Sequence, residues 1–210
     1  MRSAYCFLAV LFCSSAVFAA AEKSALFPPD VVETNDFYAD WYGPELERLN
    51  EKPIWNDAAE SEIVRFTFLR GASLVRGVNS IVIRIQKSKD GGATLLAKRR
   101  YIDQGSSEIQ TIRRIRLATT QVEKLDMLAR QADLWRYRSG TWMEKDDDIY
   151  IHCTELIMER ASGSEYSVSH NLVSCNQPIR LMPLVDYVAE LAKLRPDQLF
   201  YSSGKKAPMP

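Results

Sequence analysis

Two histidines and two cysteines stand out for the chemistry they permit: His152, Cys153, His170 and Cys175. They are the only residues of those types beyond the first 21 positions. Two nitrogens and two sulfurs would satisfy a tetrahedral zinc ion. Neighbouring residues on a strand point to opposite faces, however, so His152 and Cys153 are poorly placed to share one metal. Glu155 adds a carboxylate to the group. In a hairpin turning at Ser162-Gly163, Glu155 faces His170, and such a pair can orient and charge an imidazole for acid–base work. The same contact is also an ordinary cross-strand polar pair, worth about a few tenths of a kcal/mol. A register that places Cys153 opposite Cys175 instead moves Glu155 to face Val173. The two arrangements therefore compete unless a bulge intervenes.

The cysteines are read through the N-terminus. Met1-Arg2-Ser3 is followed by an apolar run from Ala4 to Phe18, then Ala19-Ala20-Ala21 and polar Glu22-Lys23. A basic start, a short apolar run and a small-residue exit describe a secretory signal peptide over 1–21. The run is too short for a bilayer span, and no later stretch is long enough for a transmembrane segment. Cleavage would remove Cys6 and Cys13, leaving Cys153 and Cys175 as an isolated pair in an oxidising compartment, most simply a disulfide. In the chain-entropy model a loop of that size stabilises by roughly 3 kcal/mol. The expected location is periplasmic or secreted.

Of 27 cationic and 27 acidic residues, only Arg2 lies in the signal, so the exported part carries one net negative charge. That balance argues against nucleic-acid binding. The charge is uneven, however. Nine cations between Arg84 and Arg116 face only Asp90, Asp103 and Glu108. A basic surface of Arg84, Lys98, Arg99, Arg100, Arg113 and Arg114 would suit an anionic protein or an anionic envelope component. It also matches a sheet that guards exposed edges with charge. Glu144 and Asp146-Asp147-Asp148 lack the alternating ligands and glycine of a calcium loop. No Gly-x-Ser-x-Gly elbow, His-Glu-x-x-His helix or phosphate-binding glycine loop occurs, and no cofactor is implied.

These residues need elements to hold them. Residues 22–33, with Pro28-Pro29, read as extended. A helix is expected over 34–50, interrupted at Gly43-Pro44, with Phe37, Tyr38, Trp41, Leu46 and Leu49 as its apolar side. Strands are expected at 62–70, 80–87 and 93–102 from their alternation, with a hairpin turn at Lys89-Asp90-Gly91-Gly92 and a further extended stretch at 109–117. Thr120 and Glu123 form a capping box for a helix carrying Val122, Leu125, Leu128, Ala132 and Trp135. Strands at 149–160 and 165–174 form the terminal hairpin, and a last helix uses Leu184, Val188, Leu191 and Leu194. Trp41, Trp135 and Tyr187 read as core, with a ligand-stacking set as the alternative. The pattern is α+β: an antiparallel sheet of two hairpin-containing halves, with helices mainly on one face. One domain over 22–200 and a tail over 201–210 complete the organisation.

Several short motifs, in order, resemble a family of exported bacterial proteins known only as a domain of unknown function. They are Leu46, Leu49, Glu51, Pro53 and Trp55, then Arg65-Phe66, Ile83-Arg84-Ile85 and Gly91-Gly92. Leu134-Trp135, Met158-Glu159, Gly163 and Tyr166 follow. The likeness spans most of residues 40–195. It departs at Asp146-Asp147-Asp148, where the family tends to carry Asp-Gly, and in placing Cys153 and Cys175 at the hairpin. It implies this fold and export, and it brings no activity. The functional expectation is a non-enzymatic binding or interaction protein of the cell envelope. A hydrolase-type enzyme at Glu155 and His170 and a purely structural envelope component are the alternatives. Mass analysis of freshly isolated protein with and without reductant should differ by the two hydrogens of one disulfide; two free thiols would contradict the bridge.

Overall fold

The computed structural model describes residues 26–34, 36, 38–58, 61–69, 77–103, 106–135, 139–141, 153–174 and 179–199. Residues 1–21, expected to be a signal peptide, residues 201–210, expected to be a tail, the acidic stretch 144–148, His152 and Cys175 lie outside them.

Alternating sequence becomes strand where predicted. β1 (Ser61–Leu69), β2 (Gly77–Ser88), β3 (Ala93–Asp103) and β4 (Ser106–Leu117) form an antiparallel meander. β6 (Glu155–Ser162) and β7 (Glu165–Leu172) form the terminal hairpin. The sheet order is β4-β3-β2-β1-β6-β7-β5, where the three-residue β5 (Ser139–Thr141) joins β7 in parallel. β1 is thus central and pairs with both halves. At the β2–β3 turn Gly91 adopts φ 78°, and the Asp90 carboxylate accepts from the Gly92 N–H at 2.9 Å.

One face of the sheet is apolar by periodicity. Val64, Phe66 and Phe68 of β1, Ile81, Ile83 and Ile85 of β2, and Leu156 and Met158 of β6 all point there. The two longest helices, α3 (Thr119–Gln131) and α4 (Met182–Ala192), cover it with Leu125, Leu128, Leu184, Val188 and Leu191. The α+β class expected from sequence is the observed one. α3 begins one residue ahead of the expected capping box. Ala118 is its N-cap, and only the return half forms: the Ala118 N–H donates to Gln121 Oε1 at 2.9 Å. α4 ends on Lys193 in the left-handed conformation, with the Leu194 N–H donating to the Ala189 carbonyl at 2.9 Å. That geometry terminates the helix before Pro196.

The opposite face carries a second core built by the N-terminal segment. Residues 29–34 are helical, not extended: α1 (Pro29–Thr34) starts at a proline, whose fixed φ suits the first helical position. A π-helical turn (Tyr38–Tyr42) leads into α2 (Gly43–Arg48). The wider turn carries Tyr38 and Tyr42 inward, and Trp41, expected in the core, is 60% exposed. α5 (Pro196–Leu199) closes the described chain.

Charge fastens this second layer. Arg65, at the centre of β1, is completely buried. Its Nε and Nη2 each donate to the Glu159 carboxylate at 2.7 Å, and its Nη1 donates to the Lys52 carbonyl at 2.8 Å. Tyr166 donates to the same carboxylate at 2.7 Å. Glu51 approaches Arg65 at 3.7 Å and also holds Arg84 at 3.2 Å and Lys98 at 2.6 Å. Burial pulls the Arg65 guanidinium down, but Glu159, Tyr166 and Glu51 together raise it above its ordinary value. Removing one partner of a buried pair leaves an uncompensated charge. Arg65→Leu should therefore destabilise the protein by about 3–5 kcal/mol in urea unfolding. Arg65→Leu combined with Glu159→Leu should recover most of that loss. A single variant within about 0.5 kcal/mol of the parent would refute a structural role for the cluster.

Candidate functional site

Glu155 opens β6 and His170 lies near the end of β7. The observed turn is at Gly163-Ser164, with Ser162 paired to Glu165, one residue later than the turn expected from sequence. Glu155 consequently pairs with Leu172, and His170 pairs with Ile157. The one-residue turn shift moves the pairing by two, which preserves the face. Glu155 and His170 become diagonal neighbours, and Glu155 Oε2 lies 3.4 Å from His170 Nε2. Diagonal positions are within reach of long side chains.

The structure adds a third member that periodicity did not single out. Tyr42, delivered by the π-helical turn, donates its hydroxyl to Glu155 Oε2 at 2.7 Å. Its ring lies 5.5 Å from the imidazole, between centroids. Tyr38 stands 6.0 Å from Tyr42, and Phe27 stands 5.8 Å from Tyr38, so the group is backed by aromatic packing. Only the four-residue spacing of Tyr38 and Tyr42 hinted at this in the sequence. Burial pushes Glu155 upward, but the neighbouring His170 imidazole and the hydrogen bond from Tyr42 outweigh it and hold the carboxyl below its usual range. Burial, reinforced by Glu155, pushes the Tyr42 hydroxyl far above its ordinary value.

Chemically, the arrangement is a carboxylate clamped between a phenol and an imidazole. Glu155 stands against the imidazole, and a pair of this kind can orient and charge the ring for acid–base work. Tyr42 is fully buried, and its strong bond to Glu155 also ties the N-terminal layer to the hairpin. Two surface clefts, one beside Trp135 and Arg160 and one beside Lys87 and Gly163, lie elsewhere. Cys153 is buried just before β6. Beside it the ladder ends, where the Val173 N–H donates to the Thr154 carbonyl at 3.0 Å. The Thr154 N–H donates to Ser174 Oγ at 2.7 Å. Among the described residues no group of three His, Cys, Asp or Glu side chains has the geometry to hold a metal ion.

The six cations proposed from sequence divide into two groups. Arg84, Lys98 and Arg100 face the N-terminal layer. Arg84 and Lys98 hold Glu51, and Lys98 also donates to the carbonyls of Leu49 and Asn50 at 3.3 and 3.1 Å. Arg100 makes a two-pronged pair with buried Glu45 at 2.6 and 2.9 Å, and Ser80 donates to that same carboxylate. Arg99, Arg113 and Arg114 belong to the outer strands. Arg99 donates to Gln110 at 2.9 Å, Arg113 is half-buried, and Arg114 is exposed beside exposed Arg116. Tyr187 is buried in the core and donates to the Gln121 carbonyl at 3.2 Å, and Trp135 packs against that core. Trp41, Trp135 and Tyr187 therefore form no shared stacking surface.

No family model matches the chain, and no curated protein matches it in sequence.

The tyrosines generate a pH dependence. Burial raises Tyr42 and Tyr166 well above 10, the value both have in the unfolded chain. Above about pH 10 the unfolded chain gives up both protons while the folded chain keeps them. Stability should thus fall on alkalisation, by about 1.4 kcal/mol per pH unit for each tyrosine. Urea unfolding across this range should show the slope reduced by one such increment in Tyr42→Phe and again in Tyr166→Phe. An unchanged slope in both variants would contradict the burial argument.

Proposed function

We propose that this is an exported protein of an oxidising envelope compartment, and that it acts by binding an acidic, extended segment of a partner protein along the outer edge of β4. The observation that carries this reading is the character of that edge. β4 ends the sheet, runs for twelve residues and is largely exposed. A strand edge offers unpaired backbone donors and acceptors to an incoming strand. Charged side chains along it select the partner and suppress indiscriminate pairing.

The division of cations supports the choice of edge over face. Arg84, Lys98 and Arg100 are committed to Glu51 and Glu45. Arg114 and Arg116 project from the edge strand, and Arg116 approaches solvent-exposed Asp90 at 3.8 Å. Ile109, 41% exposed on the same strand, supplies an apolar contact. The Cys153–Cys175 bridge belongs to the same proposal. Its support is the end of the ladder beside Cys153, within two residues of Cys175.

A second reading is a hydrolase-type site, favoured by the contact among Tyr42, Glu155 and His170. It predicts loss of a hydrolytic turnover in His170→Ala with the fold retained. The binding reading is preferred because Tyr42 and Glu155 are already used to join two layers of the fold.

Fluorescence anisotropy with an extended peptide of alternating Glu and Val tests the proposal. Binding should weaken as salt shortens the Debye length from about 30 Å to about 8 Å. Arg114→Glu with Arg116→Glu should weaken it at least about tenfold, equivalent to about 1.4 kcal/mol. These positions are exposed, so the fold should survive. Undiminished affinity in the double variant would remove the β4 edge from consideration.

A further inference from the structure

A cleft of about 360 Å³ lies at the far side of the sheet from β4, lined by Trp135, Arg160, Ser164, Glu165, Tyr166 and Ser167. Its size falls in the range of small-molecule sites, about 300–1,000 Å³. The elements that make it are few. Arg160 and Ser167 face each other across the β6–β7 ladder, and the two-residue turn at Gly163-Ser164 closes one end. The chain leaving α3 contributes Trp135. The Arg160 guanidinium sits 5.6 Å from the centroid of that indole ring, a cation–π contact that holds both side chains in place.

Beyond Ser167 the same face of β7 continues into the interior with Ser169 and Asn171. Their partners across the ladder are Met158 and Leu156, both members of the apolar core. Ser169 is 3% exposed and Asn171 is fully buried. Ser169 Oγ and both amide atoms of Asn171 have no hydrogen-bond partner among the described residues. Buried polar groups are nearly always satisfied, and leaving them bare is costly. Inward of the cleft, Ser169 and Asn171 thus hold hydrogen-bonding capacity that the described residues do not consume.

Electrostatics narrows the ligand. Arg160 is already balanced: its Nε donates to Glu62 at 3.0 Å, and Glu165 approaches its Nη1 at 3.9 Å. Lys87 shares Glu62 at 3.1 Å. Lys87 also pairs with Asp126, so two cations stand among three carboxylates, which leaves no net positive field for an anion. What remains is planar, bidentate hydrogen-bonding groups beside an indole. Arg, Glu and Asn can each bond two adjacent hydroxyls at once, and an aromatic face accepts the C–H side of a pyranose ring.

We propose that the Trp135–Arg160 cleft is a saccharide-binding site for a neutral hexose unit, with the sugar's apolar side against the exposed part of the Trp135 ring left by Arg160 and the core. Its hydroxyls bond to Arg160, Glu165 and Ser167, the polar side chains that line the cleft. The site stands apart from the β4 edge, so either can fail alone.

Isothermal titration of the full chain with maltose, the disaccharide of N-acetylglucosamine and digalacturonate is the test. Saturable binding of one of the two neutral disaccharides is expected, at a Kd near or below about 1 mM. Trp135→Ala should weaken it at least tenfold. Trp135→Phe, which keeps a ring, should retain part of the affinity. Glu165→Gln, at an exposed position, should weaken binding with the fold intact and so covers the case in which the larger changes unfold the chain. Three results would overturn the site: no saturation with either neutral sugar, a preference for digalacturonate, or parental affinity in both Trp135→Phe and Glu165→Gln.

Discussion

A guanidinium sits where periodicity alone would place a solvent-facing residue, on the central strand of a sheet covered on both faces. Arg65 cannot remain there without Glu159 beside it. Glu159 in turn is held by Tyr166, and Glu51 brings Arg84 and Lys98 to the same place. The cluster spans β1, β6, β7, β2, β3 and the corner after α2. Apolar burial drives the two cores together without direction. Ion pairs with fixed fork geometry supply the register. The segment from Leu26 to Ala58 docks where its own Glu45 and Glu51 meet Arg100, Arg84 and Lys98, and it buries Tyr38, Tyr42 and Leu46 as a consequence.

This arrangement explains why the basic stretch from Arg84 to Arg116 is not one surface. Alternation along β2 and β3 sends Arg84, Lys98 and Arg100 to the side that the N-terminal layer covers. The outer strand has no such cover, and its Arg114 and Arg116 stay in water. A bulge in β3–β4 pairing, between Ala97 and Lys98, also changes which side Arg113 and Ile112 present. A charge count over a window cannot distinguish these fates, because a cation inside an ion pair and one at an edge contribute the same unit to it.

Much of the sheet was legible because β1, β2 and β3 alternate cleanly and Gly91 requires a turn that few other residues allow. The helical faces of α3 and α4 were legible for the same periodic reason. Other features were not. Pro28-Pro29 reads as extended chain, although a proline also begins a helix well. β5 is too short to carry a pattern. Trp41 is apolar at helical spacing, but a π-helical turn rotates it outward. The Glu155–His170 contact was visible because both residues keep the same face whether the turn falls at Ser162-Gly163 or at Gly163-Ser164. Tyr42 was not visible as its partner, since nothing local ties residue 42 to residue 155. Buried Arg65 was the hardest to foresee: a lone arginine between apolar neighbours on a strand ordinarily faces water.

The central place of β1 also governs the order in which the chain can fold. Its two neighbours are β2, nearby in sequence, and β6, whose Glu159 is 94 positions from Arg65. The meander of β1 to β4 can collapse early from local contacts. Until β6 arrives, its inner edge is open and the Arg65 charge lacks Glu159. Such long-range pairings slow folding, because loop closure precedes the contacts that reward it. A chain whose central strand lacks one neighbour until its last third is made stays open for longer than one that folds from its N-terminus.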